Sequence, residues 1–181
     1  MNISAAEKQK IVKSVEGWLR ECVLGLSLCP YARVPFERDA VRIAVTAADD
    51  LTNTLDQEIE HLQDSAGSVE TTLVVIAQGL RHFLDFNDCT GDIEQMLQRS
   101  GLDGEFQLAA FHPAYLFAGE AAEDASHYTN RAPYPVVQLL RVESVSRAVQ
   151  QGDTLAVPQR NMETLRSLDR SRLQKLFPWV E

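Results

Sequence analysis

The chain has 181 residues, 45% of them hydrophobic and 24% charged. That is enough for one well-buried core and too short for two comfortable ones, so a single domain over residues 1–181 is expected. Seventeen basic against twenty-six acidic residues give a net charge of −9, a field that a phosphate backbone would have to overcome locally, which argues against nucleic acid as a partner.

The longest apolar runs, such as Leu73 to Ala77, are far too short for a bilayer. The first ten residues lack the basic-then-apolar order of a secretory leader, so a cytoplasmic protein without a membrane span is expected. Cys22, Cys29 and Cys89 form an odd set with no CxxC pair, which reads as free thiols in a reducing compartment.

Ser4-Ala5-Ala6-Glu7 has the spacing of a capping box, where hydroxyl and carboxylate each satisfy an orphan N–H at a helix start. Behind it Ile11, Val15, Trp18, Cys22 and Leu26 recur at steps of three and four, which predicts a helix with Cys22 on its core face, ended by Cys29-Pro30. Val41 to Val45 alternates at period two and predicts a strand. Leu51, Leu55, Ile59 and Leu62 then predict a helix behind Asp49-Asp50.

TTLVVIA, Thr71 to Ala77, is β-branched and nearly continuous in apolar character, as a strand covered on both faces requires. Phe86, Cys89, Ile93 and Met96 predict a helix within Phe83 to Arg99, despite Gly91. FQLAAF, Phe106 to Phe111, reads as a third strand terminated by His112-Pro113. Leu139, Val142, Val145 and Val149 suggest a further helix closed by Gly152, with Pro133 and Pro135 in its lead-in. Leu165, Leu168, Leu173 and Leu176 suggest two short terminal helices broken near Asp169. The expected fold is α/β: a small, mainly parallel sheet of three or four strands covered by helices, with an N-terminal helix and C-terminal helices.

In such folds ligands gather outside the carboxyl ends of the strands, and FHPAY, Phe111 to Tyr115, falls there. His112 precedes a proline, so its backbone is held extended and its imidazole suits a general acid or base near neutral pH. In the alternative, His112 merely caps the strand by bonding to backbone. In NRAPYP, Asn130 and Arg131 would stand at the start of the helix expected to follow, where N–H groups and a guanidinium receive a carboxylate or phosphate. The plainer reading is a capped helix with its arginine tied to a surface carboxylate.

Cys29 in CPYA, beside Arg33, is a candidate nucleophile to pair with His112, against the simpler reading of a buried thiol. Cys29, His112 and His127 can be combined on paper into a zinc site. None of the short ligand spacings of structural zinc is present, so no metal is expected. His61 and His82 read as solvated. No glycine-rich phosphate loop, GxSxG or dinucleotide fingerprint occurs, so nucleotide-dependent chemistry lacks direct support and the cofactor stays open.

CPYA, the run QLAAFHPAYLFAG from Gln107 to Gly119, and TNRAPYPVVQLLR from Thr129 to Arg141 together resemble an uncharacterised bacterial family, domain-of-unknown-function family 1415. The match runs over nearly the whole chain and includes Cys29, Pro30, Phe111, His112, Pro113, Tyr115, Asn130, Arg131, Pro133, Tyr134, Pro135 and Arg141. It departs where the family pattern reads HLLRE and this chain has Gln138 and Val142 at the two ends. The resemblance implies no particular reaction, cofactor or fold.

Two functional readings follow. In the first, the strand ends bind an anionic small molecule through Asn130, Arg131, Tyr115 and Tyr134, with Arg33 and Arg141 in support and His112 and Cys29 as catalytic candidates. In the second, the protein is a regulatory or interaction module that presents its proline-rich loop and the aromatic tail Phe177 to Trp179 to a protein partner.

Overall fold

Strand β2, Thr71–Gln78, organises the molecule. Leu73 and Val75 face one apolar cluster and Val74 and Ile76 the other, and all four are at most 1% exposed. A strand with both faces buried must be interior to a covered sheet, as its continuous apolar run predicts. The computed structural model describes residues 3–65, 67–151 and 156–180.

Helix α1, Ala5–Trp18, starts where expected: the Ser4 hydroxyl accepts the Glu7 N–H at 3.3 Å. It continues as a π-helical turn, Leu19–Leu24, and a short α2, Arg33–Glu37, follows. Then come β1 (Val41–Ala47), a 3-10 turn (Ala48–Asp50), α3 (Leu51–Asp64), β2, α4 (Phe83–Arg99) and β3 (Phe106–Phe111). A second 3-10 segment, Ala125–Asn130, leads into β4, Val136–Arg141, which passes directly into α5, Val142–Gln151. Helices α6 (Val157–Arg166) and α7 (Arg170–Leu176) end the chain; Asp169 caps α7 by accepting the Arg172 N–H at 2.8 Å.

The sheet has four strands in the order β1-β2-β4-β3. β1 and β2 pair in parallel, whereas β4 is antiparallel to both β2 and β3. The sheet is therefore mixed, not mainly parallel. The reason lies in a second correction: the segment expected to be a helix after NRAPYP is a strand as far as Arg141. Val136-Val137 and Leu139-Leu140 fill the gap between β2 and β3, and Val136, Val137 and Leu139 are fully buried. Only from Val142 onward does the helical spacing describe a helix. Pro133 and Pro135 thus lead into a strand, where a proline at the entrance removes no interior ladder bond. Gly152 lies outside the described residues.

One face of the sheet packs on α1, its π-helical turn, α6 and α7 through Val15, Trp18, Leu165 and Phe177. The other packs on α3 and α4 through Leu55, Leu62, Phe86 and Leu97. Cys22 sits at 0% exposure in the first cluster, its thiol reaching the Leu176 carbonyl at 3.2 Å and pushed up to about 12 by burial. Phe177, offered above as an exposed anchor, is 0% exposed, and its ring meets Tyr128 and Trp179 edge-on. The tail docks on its own core through Phe177, while Trp179 stays partly exposed. No helix among the described residues is long and apolar enough to cross a membrane.

Candidate functional site

β1, β2 and β3 point the same way, and β4 enters from that end, so three carboxyl ends and the start of β4 share one edge of the sheet. At this edge β2 leaves through Gly79, with φ +91°, and Leu80, with φ +50°. A Cβ on Gly79 would come 2.6 Å from the Ala48 Cβ, so the turn needs glycine both for its conformation and for the close approach. Gly79→Ala is expected to cost about 1–3 kcal/mol, read as a lower denaturation midpoint; an unchanged midpoint would mean that the turn relaxes freely.

His112 holds this turn. Its Nε2 lies 3.0 Å from the Leu80 carbonyl and its Nδ1 accepts the Ala114 N–H at 3.0 Å. The acceptor role of Nδ1 assigns the proton to Nε2, which donates to Leu80. The ring is 1% exposed and packs against Phe83 and Phe86 of α4. Burial lowers its pKa below the usual histidine value, which favours this neutral tautomer. Both ring nitrogens are engaged by backbone, the arrangement of a loop staple. His127 repeats it: Nδ1 accepts the Phe117 N–H at 3.0 Å, Nε2 lies 2.8 Å from the Ala121 carbonyl, and the residue is 0% exposed. Neither ring has a nitrogen to spare for the zinc site drawn on paper, and no group of three metal-binding side chains occurs among the described residues. His61 and His82 are exposed.

Asn130 closes the outer edge of β3. Its side-chain amide donates to the Ala110 carbonyl at 3.0 Å, and its own carbonyl accepts the His112 N–H at 3.0 Å. The residue stands in for a neighbouring strand, and no helix start follows it. The anion site built on helix N–H groups is therefore not formed.

Arg131 remains at this edge on other terms. Its guanidinium lies 4.6 Å from the centre of the Tyr128 ring, within cation–π range, and its Nε reaches the Tyr115 carbonyl at 3.4 Å. The side chain is partly buried, and this burial lowers its pKa, offset in part by Tyr128. Arg33, Arg42, Arg147 and Arg166 all have carboxylates in salt-bridge range; no such partner of Arg131 occurs among the described residues. Tyr115 packs between Phe83, tilted against it, and Phe117, edge-on, with its hydroxyl pKa raised by burial and partly offset by Asn130. Tyr134 packs against the α1 side of the sheet.

The other candidates lie elsewhere. Cys29 packs into the cluster on the α1 face, whereas the ring partners of His112 belong to α4 on the opposite face. Among the described residues no hydrogen bond or ring contact joins the two, and burial raises the Cys29 thiol. Arg33 pairs with Glu37 on the surface of α2. Arg141 closes the far end of β4, donating to the Val69 and Leu62 carbonyls. Gln138, at one of the departures from the family pattern, donates to the Thr71 hydroxyl at 3.0 Å in mid-sheet.

A family model described as "Protein of unknown function (DUF1415)" matches residues 10–175, from α1 to α7. The chain belongs to that family. No curated protein and no solved structure matches. The matched span takes in both FHPAY and NRAPYP, the two motifs that Asn130 ties together at the strand ends.

Proposed function

We propose that this DUF1415 protein acts in the bacterial cytoplasm by binding an anionic small molecule at the strand ends, with Arg131 as the principal contact. The observation that carries this reading is a partly buried guanidinium, oriented by Tyr128 and the Tyr115 carbonyl, with no carboxylate partner among the described residues. A buried charge is costly unless paired, and a planar, always-charged fork is suited to a carboxylate or phosphate. In this reading Asn130 and Tyr115 flank Arg131, and Tyr134, in the lead-in to β4, completes the wall. His112 is kept out of acid–base chemistry by its two backbone bonds, so the proposed activity is recognition.

The test is a thermal-shift titration of the wild type and Arg131→Ala with phosphate, nucleotides, sugar phosphates and dicarboxylates. A ligand held at 100 times its Kd adds about 2.7 kcal/mol to the native state. At least one anion class should raise the melting temperature of the wild type and leave Arg131→Ala unmoved. Equal shifts in both proteins, or none in either, would overturn the reading.

A further inference from the structure

We infer that the open edge of β1 is a docking groove for an extended peptide whose alternate side chains are basic. The inference is independent of the anion site, which lies at the strand ends.

Ladder alternation fixes which backbone groups are on offer. Ile76 donates to the Pro135 carbonyl and Ala40 accepts from Glu70 and Thr71, so Thr72, Val74 and Ile76 turn toward β4, and Ala40, Arg42 and Ala44 turn toward β2. Val41, Ile43 and Val45 therefore direct their N–H and C=O groups to the side of β1 that carries no strand. The register shift between Thr46 and Ala47 ends the regular stretch. About five residues, roughly 16 Å, are left to receive a partner strand.

The two edges of the sheet are treated differently. Asn130 occupies the Ala110–His112 end of the β3 edge, as described above. Arg42 and Ala44 to Ala47 of β1 form the floor of a groove of about 690 Å³, which the open edge continues past Ile43 and Val41. On the α1 side the groove is walled by Ile3 and Lys8, and on the α3 side by Asp50, Thr54, Gln57 and Glu58. Exposed edges are ordinarily blunted by proline or by a charge over the edge. VRIAVTA contains no proline, and its one charge, Arg42, is drawn to α3 by a two-point contact with Glu58 at 2.6 and 3.1 Å. An incoming strand would lie between helix walls as β1 itself does, gaining backbone bonds and two side-chain faces, the geometry of β-strand addition.

The walls specify the occupant. Arg42 and Glu58 neutralise one another, and Lys8 and Asp49 carry opposite charges. This leaves the charge of the Asp50 carboxylate, which accepts only the neutral Asn53 amide at 3.1 Å among the hydrogen bonds of the described residues, within a chain of net charge −9. Side chains directed to α3 meet Asp50 and Gln57 and are favoured when basic; those directed to α1 meet Ile3 and are favoured when small and apolar. The same charge opposes a second copy of this chain as occupant, since both would bring −9 to the interface.

The experiment is an amide NMR titration of the full chain with a capped seven-residue peptide alternating lysine and valine, and with its counterpart carrying glutamate for lysine. The lysine peptide should shift the amides of Val41, Ile43 and Val45 and bind at least roughly tenfold more tightly than the glutamate peptide. Asp50→Lys should weaken the lysine peptide by a similar factor. Ile43→Pro removes an N–H from the open side only, a change edge strands tolerate, and should abolish binding in a folded protein. If Ile43→Pro does not fold, Asp50→Lys and the peptide pair still decide. The proposal is overturned by absence of shifts at millimolar peptide, by equal affinity for the two peptides, by shifts confined elsewhere, or by a sedimenting dimer that already occupies β1.

Discussion

Phe177→Ala is expected to lower stability by about 3–5 kcal/mol, the usual cost of emptying a fully buried aromatic site, and the melting temperature by roughly 6–20 °C. Phe177 is 0% exposed and joins α7 to the sheet face carrying Val75 and Val136. Its ring also supports Tyr128, the platform beneath Arg131. The variant should therefore lose stability and anion response together, although it touches no proposed ligand contact. Urea unfolding followed by tryptophan fluorescence provides the check, and a loss below 1 kcal/mol would show that the tail contributes little to the core.

The second large effect belongs to His112. Alanine there strands the Leu80 carbonyl and the Ala114 N–H without their side-chain partner. Ala114 is exposed, so water can take up its N–H, and Leu80 is partly buried; at about 1–3 kcal/mol for one buried group left unsatisfied, a loss of roughly 1–3 kcal/mol is expected. The native state uses the neutral ring, because protonated Nδ1 would face the Ala114 N–H as a second donor. The folded pKa is lowered by burial while the unfolded one stays near 6.5, so below about pH 6.5 the unfolded chain takes up the proton first. The contribution of His112 is then complete above that pH and shrinks as pH falls, by at most about 1.4 kcal/mol per pH unit. Unfolding of the wild type and His112→Ala between pH 5 and 8 should show the gap between them narrowing on the acid side. A constant gap would remove the neutral staple from the account.

The elements legible in sequence are those whose signal is local. The Ser4 cap, the apolar run of β2, the bounds of β3 and the stripe of α3 each follow from residues within one segment. β4 was obscured because Leu139 and Val142 stand at helical spacing across a strand–helix junction, and only the gap between β2 and β3 decides that Val136 to Arg141 is extended. The site shows the same division. FHPAY and NRAPYP do meet at the strand ends, as their position suggested, but the partners of His112 are backbone groups of Leu80 and Ala114, which no residue type announces. His127 carried no stronger signal than a polar loop, yet it is buried as deeply as any core residue. Asn130 read as a helix cap because asparagine serves both roles; the β3 edge that it covers lies twenty positions earlier.

The place of β4 between β2 and β3 also bears on how the protein is made. During synthesis β2 and β3 leave the ribosome well before the strand that joins them, and until Arg141 has emerged each has an unpaired, largely apolar edge. Any nascent or truncated chain ending before that point has the sheet in two pieces. Such intermediates are the ones most prone to self-association.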